Sequence, residues 1–422
     1  MRNAYALSWL FLPLLFLTAT RLSALEYVVD LDYRYQQYYE SNEGRSDNSY
    51  SAAFGFSENL GKWLFDSKIL ARSLAETDYD LYDDRLFIER FLMKRSFANA
   101  DVTFGRMDVR FGRASFVNPT DFFDPRDYRD VLLSDDRRLP VDALHVVAYA
   151  EQTQYSLTVS PRKSRSYMPH TDSRWFFDLP TEFDIGGNTI VPLQYAWQDY
   201  DNGESDFSDP QYLVRFEHTL SQLSYSLSYF RGIDNIPVFE SLTPRLVGGG
   251  ALVVLNQIYS DKSAVGFDLE VSLDPWVFRL EAAHIELRSE GREVDRYQHY
   301  VAGVDAQFNN GLFGKETYVA IEYSKQYSDD IDLYGREDIR HLFKNMLFAK
   351  LDIDLNNFHV LKINGIYDPQ DRQSVVMLLW EYLFSDQITI ELSADIIRGR
   401  PETFFGQYED NSRIGLSMEY VF

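Results

Sequence analysis

From Val265 to Leu273 every second residue is apolar: Val265, Phe267, Leu269, Val271 and Leu273 alternate with Gly266, Asp268, Glu270 and Ser272. The pattern recurs along the chain. Leu31, Tyr33 and Tyr35 alternate with Asp30, Asp32 and Arg34, and Tyr50, Ala52, Phe54 and Phe56 with small or polar partners; Ile388, Ile390, Leu392, Ala394 and Ile396 alternate with Thr389, Glu391, Ser393 and Asp395. A period of two means β-strands with one apolar and one polar face. Each run lasts about ten residues, the length of a tilted membrane-crossing strand and about twice that of a sandwich strand.

Composition agrees with an apolar surface spread thinly over many strands. Mean hydropathy is −0.32, yet aromatics make up 16% of the 422 residues, with 29 Tyr and 31 Phe. Nowhere after the N-terminus do eighteen apolar residues run together, so a membrane-spanning helix is not expected. Residues 1–24 read as a secretory signal peptide: Arg2 is the positive n-region, Ala4 to Thr20 the apolar run, and Leu22-Ser23-Ala24 the small-residue cleavage site. Residues 25–422 then form one domain, with no linker dividing them. Cysteine is absent, which excludes disulfides, thiolate metal sites and a cysteine nucleophile. The net charge of −24 leaves no basic stripe for nucleic acid.

Eighteen strand-like segments can be drawn between residues 26–39 and 411–422, with sixteen as the alternative count. Their links alternate in length. Those at 59–61, 151–152, 220–221, 274–275, 356 and 385–386 are tight, whereas 40–48, 75–83, 109–141, 160–209, 232–260, 329–338 and 399–410 are mostly long. The expected fold is an all-β transmembrane antiparallel β-barrel with long extracellular loops and short periplasmic turns. The segment near 84–96 breaks its alternation. The chain ends on Arg413–Phe422, where Ile414, Leu416, Met418, Tyr420 and Phe422 form one face. This ending resembles the C-terminal signal of Gram-negative outer-membrane barrels, and the resemblance implies that Tyr420 and Phe422 direct membrane insertion. The competing soluble periplasmic β-protein would have to place the charged alternate faces in a core.

The segment Gly105–Pro140 is unusual within such a barrel. It holds seven Arg and seven Asp, with no Lys or Glu. Rigid guanidinium forks and short carboxylates suit a fixed network. A barrel of this width encloses a lumen, and the segment is far longer than a hairpin needs. It is expected to fold inward as a constriction built by Arg106, Arg110, Arg113, Asn118, Asp121, Asp124, Arg126, Asp127, Arg137 and Arg138. Asn118-Pro119-Thr120-Asp121 reads as a turn, and Phe122 and Phe123 as anchors on the wall. The alternative is a solvated loop with scattered charge.

Within this stretch Gly105-Arg106, Phe111-Gly112, Asn118-Pro119-x-Asp121 and Arg138-x-Pro140-Val141-Asp142 resemble the pattern G-R…W-G…N-P-x-D…R-x-P-V-D of porin-like outer-membrane proteins of uncharacterised function. Those are loosely similar to alginate-export barrels. Phe111 stands where that pattern has Trp. The resemblance spans about forty residues, a loop-sized fraction of the chain, and implies a channel-like barrel without naming a substrate.

Other chemistry is sparse. The acidic runs Asp78–Asp84 and Asp199–Asp209 read as solvated loops; the first lacks the Gly and terminal Glu of a calcium loop. The Gly248-Gly249-Gly250 triplet lacks a phosphate-loop ending and reads as a surface turn, and no zinc or G-x-S-x-G motif occurs. The expectation is therefore a non-enzymatic channel in the cell outer membrane, without cofactor, for passive passage of small hydrophilic solutes. Its partners would be outer-membrane lipid and lipopolysaccharide, the barrel-assembly machinery and those solutes. Alternatives are a binding or adhesion barrel acting through loops 160–209 and 232–260, and a polysaccharide export channel.

Overall fold

A computed structural model describes residues 26–38, 46–75, 86–132, 138–169, 173–177, 179–184, 190–198, 210–241, 245–289, 292–328 and 339–422. Residues 1–24, expected above to be a signal peptide, the acidic runs Asp78–Asp84 and Asp199–Asp209, and Arg137 lie outside them. The strands in chain order are β1 (Glu26–Tyr38), β2 (Ser46–Leu60), β3 (Trp63–Ala75), β4 (Leu86–Ser96), β5 (Ala100–Met107), β6 (Val141–Ala150), β7 (Thr153–Ser160), β8 (Glu182–Asp184), β9 (Ile190–Gln198), β10 (Gln211–Thr219), β11 (Leu223–Ile233) and β12 (Val238–Ser241). Then come β13 (Arg245–Val247), β14 (Gly250–Ile258), β15 (Asp261–Leu273), β16 (Trp276–Ser289), β17 (Arg292–Phe308), β18 (Glu316–Tyr327), β19 (Asn345–Asn356), β20 (His359–Asp368), β21 (Gln373–Ser385), β22 (Ile388–Arg398) and β23 (Arg413–Val421).

Eighteen of these form one antiparallel sheet closed on itself. Each strand pairs with the next in the chain, β7 with β10 and β11 with β15 across two long loops, and β1 closes on β23 with Tyr33 opposite Met418 and Tyr35 opposite Leu416. Closure leaves no unpaired edge, which is what hydrocarbon demands of a sheet. The final Phe422 is part of the seam: its N–H donates to the Val29 carbonyl at 3.0 Å and its carbonyl accepts from the Val29 N–H at 2.8 Å.

Burial along the strands runs opposite to that of a soluble protein. On β10 Val214 is 49% exposed and Arg215 6%; on β23 Ile414 is 53% exposed and Arg413 2%. Apolar side chains cover the outside and charged ones the inside, so the barrel is a membrane-spanning one whose place is the outer membrane. The expected eighteen strands are present, with three local differences. In β4 the alternation fails because Glu89 is an extra residue: Lys68 pairs with Arg90 and Ile69 with Ile88. Residues 339–341 form a 3-10 turn instead of the start of β19, held by the Arg340 Nε donating to Asp234 at 2.6 Å and by the His341 Nε2 contact to Asp295 at 3.0 Å.

The third difference is larger. Loops 160–209 and 232–260 are not merely loops: β8, β9, β12, β13 and β14 form a separate sheet in which β14 runs parallel to β9. Gly248 and Gly249, at φ 58° and 91°, make the two-residue turn between β13 and β14, a conformation that favours glycine. Beside this sheet, side chains from five of the barrel's connections meet inward strand residues near the long-loop end. Trp175, Phe405, Tyr408, Leu132, Ile339 and Leu255 pack with Tyr38, Phe348, Val375 and Ile397, forming an apolar roof.

Candidate pore constriction

The third long connection, between β5 and β6, enters the barrel at its long-loop end. What receives it is a set of inward carboxylates. Asp268 on β15, Glu281 on β16 and Glu322 on β18 are all buried, whereas Val265, Leu280, Ile321 and Tyr323 on the same strands are exposed outward. The loop turns its backbone amides to them. Arg113 and Ala114 N–H donate to Glu281 Oε1, the latter at 2.7 Å; Thr120 N–H and Oγ1–H donate to Glu281 Oε2 at 3.3 and 2.9 Å. Ser115 and Phe116 N–H donate to the two oxygens of Glu322, the latter at 3.0 Å. Backbone that leaves a sheet must find acceptors elsewhere, and two buried wall carboxyl groups supply them.

Arg113 adds the strongest side-chain tie. Its Nε donates to Asp268 at 2.6 Å and its Nη2 to Glu217 and Ser224 at 2.8 Å each. Arg215 grips the other side of Asp268 at 2.6 and 3.1 Å. Burial works against the Arg113 cation, but the surrounding Asp268, Glu217 and Glu270 charges outweigh it and raise its pKa. Across the lumen wall the ion pairs run between near neighbours, as with Arg279 and Glu270 at 3.1 Å, Lys350 and Asp352 at 3.2 Å, and Arg413 and Asp395 at 2.7 Å.

Farther along, the segment pairs with itself as its composition implied. Arg126 meets Asp124 at 2.6 Å, Arg129 meets Asp127 at 2.8 Å, and Arg138 meets Asp121 and also Asp124, the latter at 3.1 Å. Burial first, and the adjacent Asp124 charge second, push the Asp121 carboxyl well above its ordinary range, with Arg138 and Arg126 opposing. Asp130 reaches the wall, accepting from Arg413 Nη1 at 2.7 Å. Phe122 and Phe123 pack on the inward Phe230 with ring centroids 5.8 and 5.1 Å away. The seat is made of small residues: a side chain on Gly266 would meet Thr120 and Phe122.

The recurrent motif residues acquire structural reasons. Gly105, at φ 123°, lies where a Cβ would strike the Phe91 carbonyl. Gly112, at φ 91°, lies against Asn118 and Glu281, so the loop can turn onto the wall only with glycine there. Asn118 starts the turn by accepting the Asp121 N–H at 3.1 Å.

Three expected residues stand apart. Arg110 pairs locally with Asp108 at 2.5 Å and is half exposed. Arg137 is outside the described residues. Arg106 is at the rim: strand alternation puts it on the side of the outward Phe104, opposite Asp142, because the regular β5–β6 register continues through it. The constriction residues expected from sequence leave out Arg129, Asp130 and Asp108, and nothing in the sequence singles out Glu281 and Glu322 as loop anchors. A pairing such as Gly303 opposite Glu322, which leaves room beside the carboxylate, would have been the signal, but it requires the register.

Comparison with known proteins adds the fold. Neither a protein-family model nor a curated protein matches the chain. Among solved structures, Pseudomonas aeruginosa OccK3 (OpdO) aligns over 94% of this chain and 95% of its own at a TM-score of 0.54 and 10% identity. Acinetobacter baumannii OccAB4 gives 96% and 99% coverage, 0.53 and 8%. Pseudomonas aeruginosa OpdQ gives 94% and 97%, 0.52 and 9%. The fold is that of an outer-membrane porin. At such identity the likeness is one of architecture, and chemistry must come from the residues of this chain.

Proposed function

We propose that this protein is a passive channel for small hydrophilic solutes, narrowed by the 105–140 segment. The observation that carries the reading is the capture of that segment by Glu281 and Glu322, which keeps a polar, charge-lined strip of chain across the inner wall. Ordered charges of both signs favour polar solutes and order water along the path. Arg113, Asn118, Asp121, Asp124, Arg126, Asp127 and Arg138 would set the narrowing, with Arg110 facing the passage. Tyr420 and Phe422 would serve as the insertion signal read by the assembly machinery.

Planar-bilayer recording tests it: the purified protein should conduct, and deletion of 114–134 should raise the unit conductance. Absence of current from both would sink the proposal. A second reading, an extracellular binding barrel, draws on the separate sheet of β8, β9 and β12 to β14, which displays Phe183 and Leu246 to solvent. Deleting its strands should then abolish binding and leave conductance. Polysaccharide export, the analogy with the alginate-type barrels, is disfavoured by the acidic wall that holds the loop, since a polyanion would be repelled there.

A further inference from the structure

Where β17 and β18 reach the long-loop end and meet the turn before β19, five polar side chains come together. Asp295, His299, Ser324, Gln326 and His341 are each at most 7% exposed. They form one chain of contacts. Asp295 Oδ2 lies 3.0 Å from His341 Nε2, His341 Nδ1 2.6 Å from Gln326 Oε1, Gln326 Nε2 3.4 Å from His299 Nδ1, and His299 Nε2 2.8 Å from Ser324 Oγ. Ser324 Oγ–H donates to the Phe343 carbonyl at 2.7 Å and the Gln326 Nε2–H to the Arg340 carbonyl at 3.2 Å. The chain thus holds the 340–343 turn at both ends.

These partners fix where the hydrogens are. A carbonyl only accepts, so Gln326 turns its NH2 to Arg340 and its oxygen to His341, whose Nδ1 then carries hydrogen. Ser324 gives its one hydrogen to Phe343, so His299 Nε2 carries hydrogen and its Nδ1 accepts from Gln326. The contact left over, His341 Nε2 with Asp295 Oδ2, joins two acceptors unless one additional proton lies between them. Neutral imidazole and carboxylate would set two lone pairs against each other in a buried site; imidazolium with carboxylate, or imidazole with carboxylic acid, makes the bond. Further donors to Asp295 do not change this count, because they use its other lone pairs. Among the described residues, the titratable and charged groups around His341 are Asp295, His299 and Tyr297 on β17, the Tyr297 ring centroid lying 4.9 Å away, and Arg340 in the turn. Arg340 Nε donates to Asp234 at 2.6 Å, which Lys262 approaches at 3.5 Å.

We propose that the 339–344 turn is a proton-held latch: its closure traps one proton between His341 and Asp295, and loss of that proton as pH rises frees it. Ile339 and Leu342 pack in the apolar roof with Met346 and Phe348, so an open latch loosens the roof over the long-loop entry. That consequence rests on the channel reading; the latch does not. In solvent, histidine and aspartate have both lost the proton above about pH 6.5. The closed turn then binds one proton more than the open one, and each pH unit multiplies the open-to-closed ratio by about ten while the closed pair keeps it.

Hydrogen exchange of the full-length protein in detergent micelles, read by mass spectrometry over residues 339–345 and corrected for the pH dependence of free amides, reports the opening. The Leu342 and Lys344 amides carry the signal, donating to the Ile339 and His341 carbonyls at 3.1 Å each. Between about pH 7 and about pH 9 their protection should fall roughly tenfold per unit. Asp295→Asn offers an NH2 to neutral His341 Nε2 and completes the bond without the proton, so it should stay protected with no pH slope; His341→Phe should be open throughout. Heat-modifiable gel mobility reports that each variant is folded. Protection that does not change with pH in the parent, or a parental slope in Asp295→Asn, overturns the latch. Constant bilayer current across a pH range in which exchange rises overturns the roof as a gate and leaves the latch standing.

Discussion

Replacing Glu281 by Gln isolates the docking of the third loop. The carboxylate accepts four hydrogen bonds, two at Oε1 from the Arg113 and Ala114 amides and two at Oε2 from Thr120. A glutamine oxygen can keep the first two as neutral bonds, but its NH2 would then face the two Thr120 donors. Bonds to a charged acceptor contribute about 1.5–3 kcal/mol each, so the gross loss is about 3–6 kcal/mol. Relief of the buried charge offsets part of this, leaving about 2–4 kcal/mol against docking. At about 1.4 kcal/mol per factor of ten, the undocked population rises about 30- to 700-fold. Because the variant also alters lumen charge, Thr120→Val is its partner experiment. It removes one bond without touching charge and should shift the equilibrium in the same direction by less. Trypsin digestion of the folded barrel reads out exposure of Arg126, Arg129 and Arg138, and bilayer recordings read out current noise from loop movement. Unchanged cleavage and unchanged noise in both variants would refute the idea that Glu281 holds the loop.

Three further outcomes are expected. Arg113→Gln leaves Arg215 as the cation shared by Glu217 and Asp268, costing about 1.5–3 kcal/mol for the lost bonds to charged groups, and reversal potentials should move toward cation preference. Gly112→Ala must accommodate φ 91° and contact with Asn118 and Glu281, a strain of about 1–3 kcal/mol that should sensitise the loop to trypsin; Gly248→Ala, where nothing lies within 4 Å of the new Cβ, should not. Asp121 has its carboxyl pushed upward by burial, so its contribution is full below the unfolded carboxylate pKa and is lost as pH rises through the higher folded value. Asp121→Asn, which mimics the protonated form, should therefore melt higher than the parent at pH 8 and match it near pH 4; a variant that melts lower at pH 8 contradicts this.

The legible part of this protein was the part governed by local chemistry. Alternation such as Val265 to Leu273 fixes which face of a strand is apolar without knowledge of its neighbours, and tight links such as Asp274-Pro275 set hairpins; together they yield strand number, closure and membrane placement. Matched Arg and Asp in 105–140 likewise foretold self-pairing, because Arg126 with Asp124 and Arg129 with Asp127 are two residues apart. Contacts between distant segments were not legible. Arg113 meets Asp268 across 155 positions and Ala114 meets Glu281 across 167; only the barrel's register brings those strands to the loop. The parallel pairing of β14 with β9, the apolar roof, and the outward side of Arg106 have the same origin. Strand periodicity is a property of neighbouring residues, whereas which wall a loop meets depends on curvature and closure of the whole sheet, and so belongs to the tertiary structure alone.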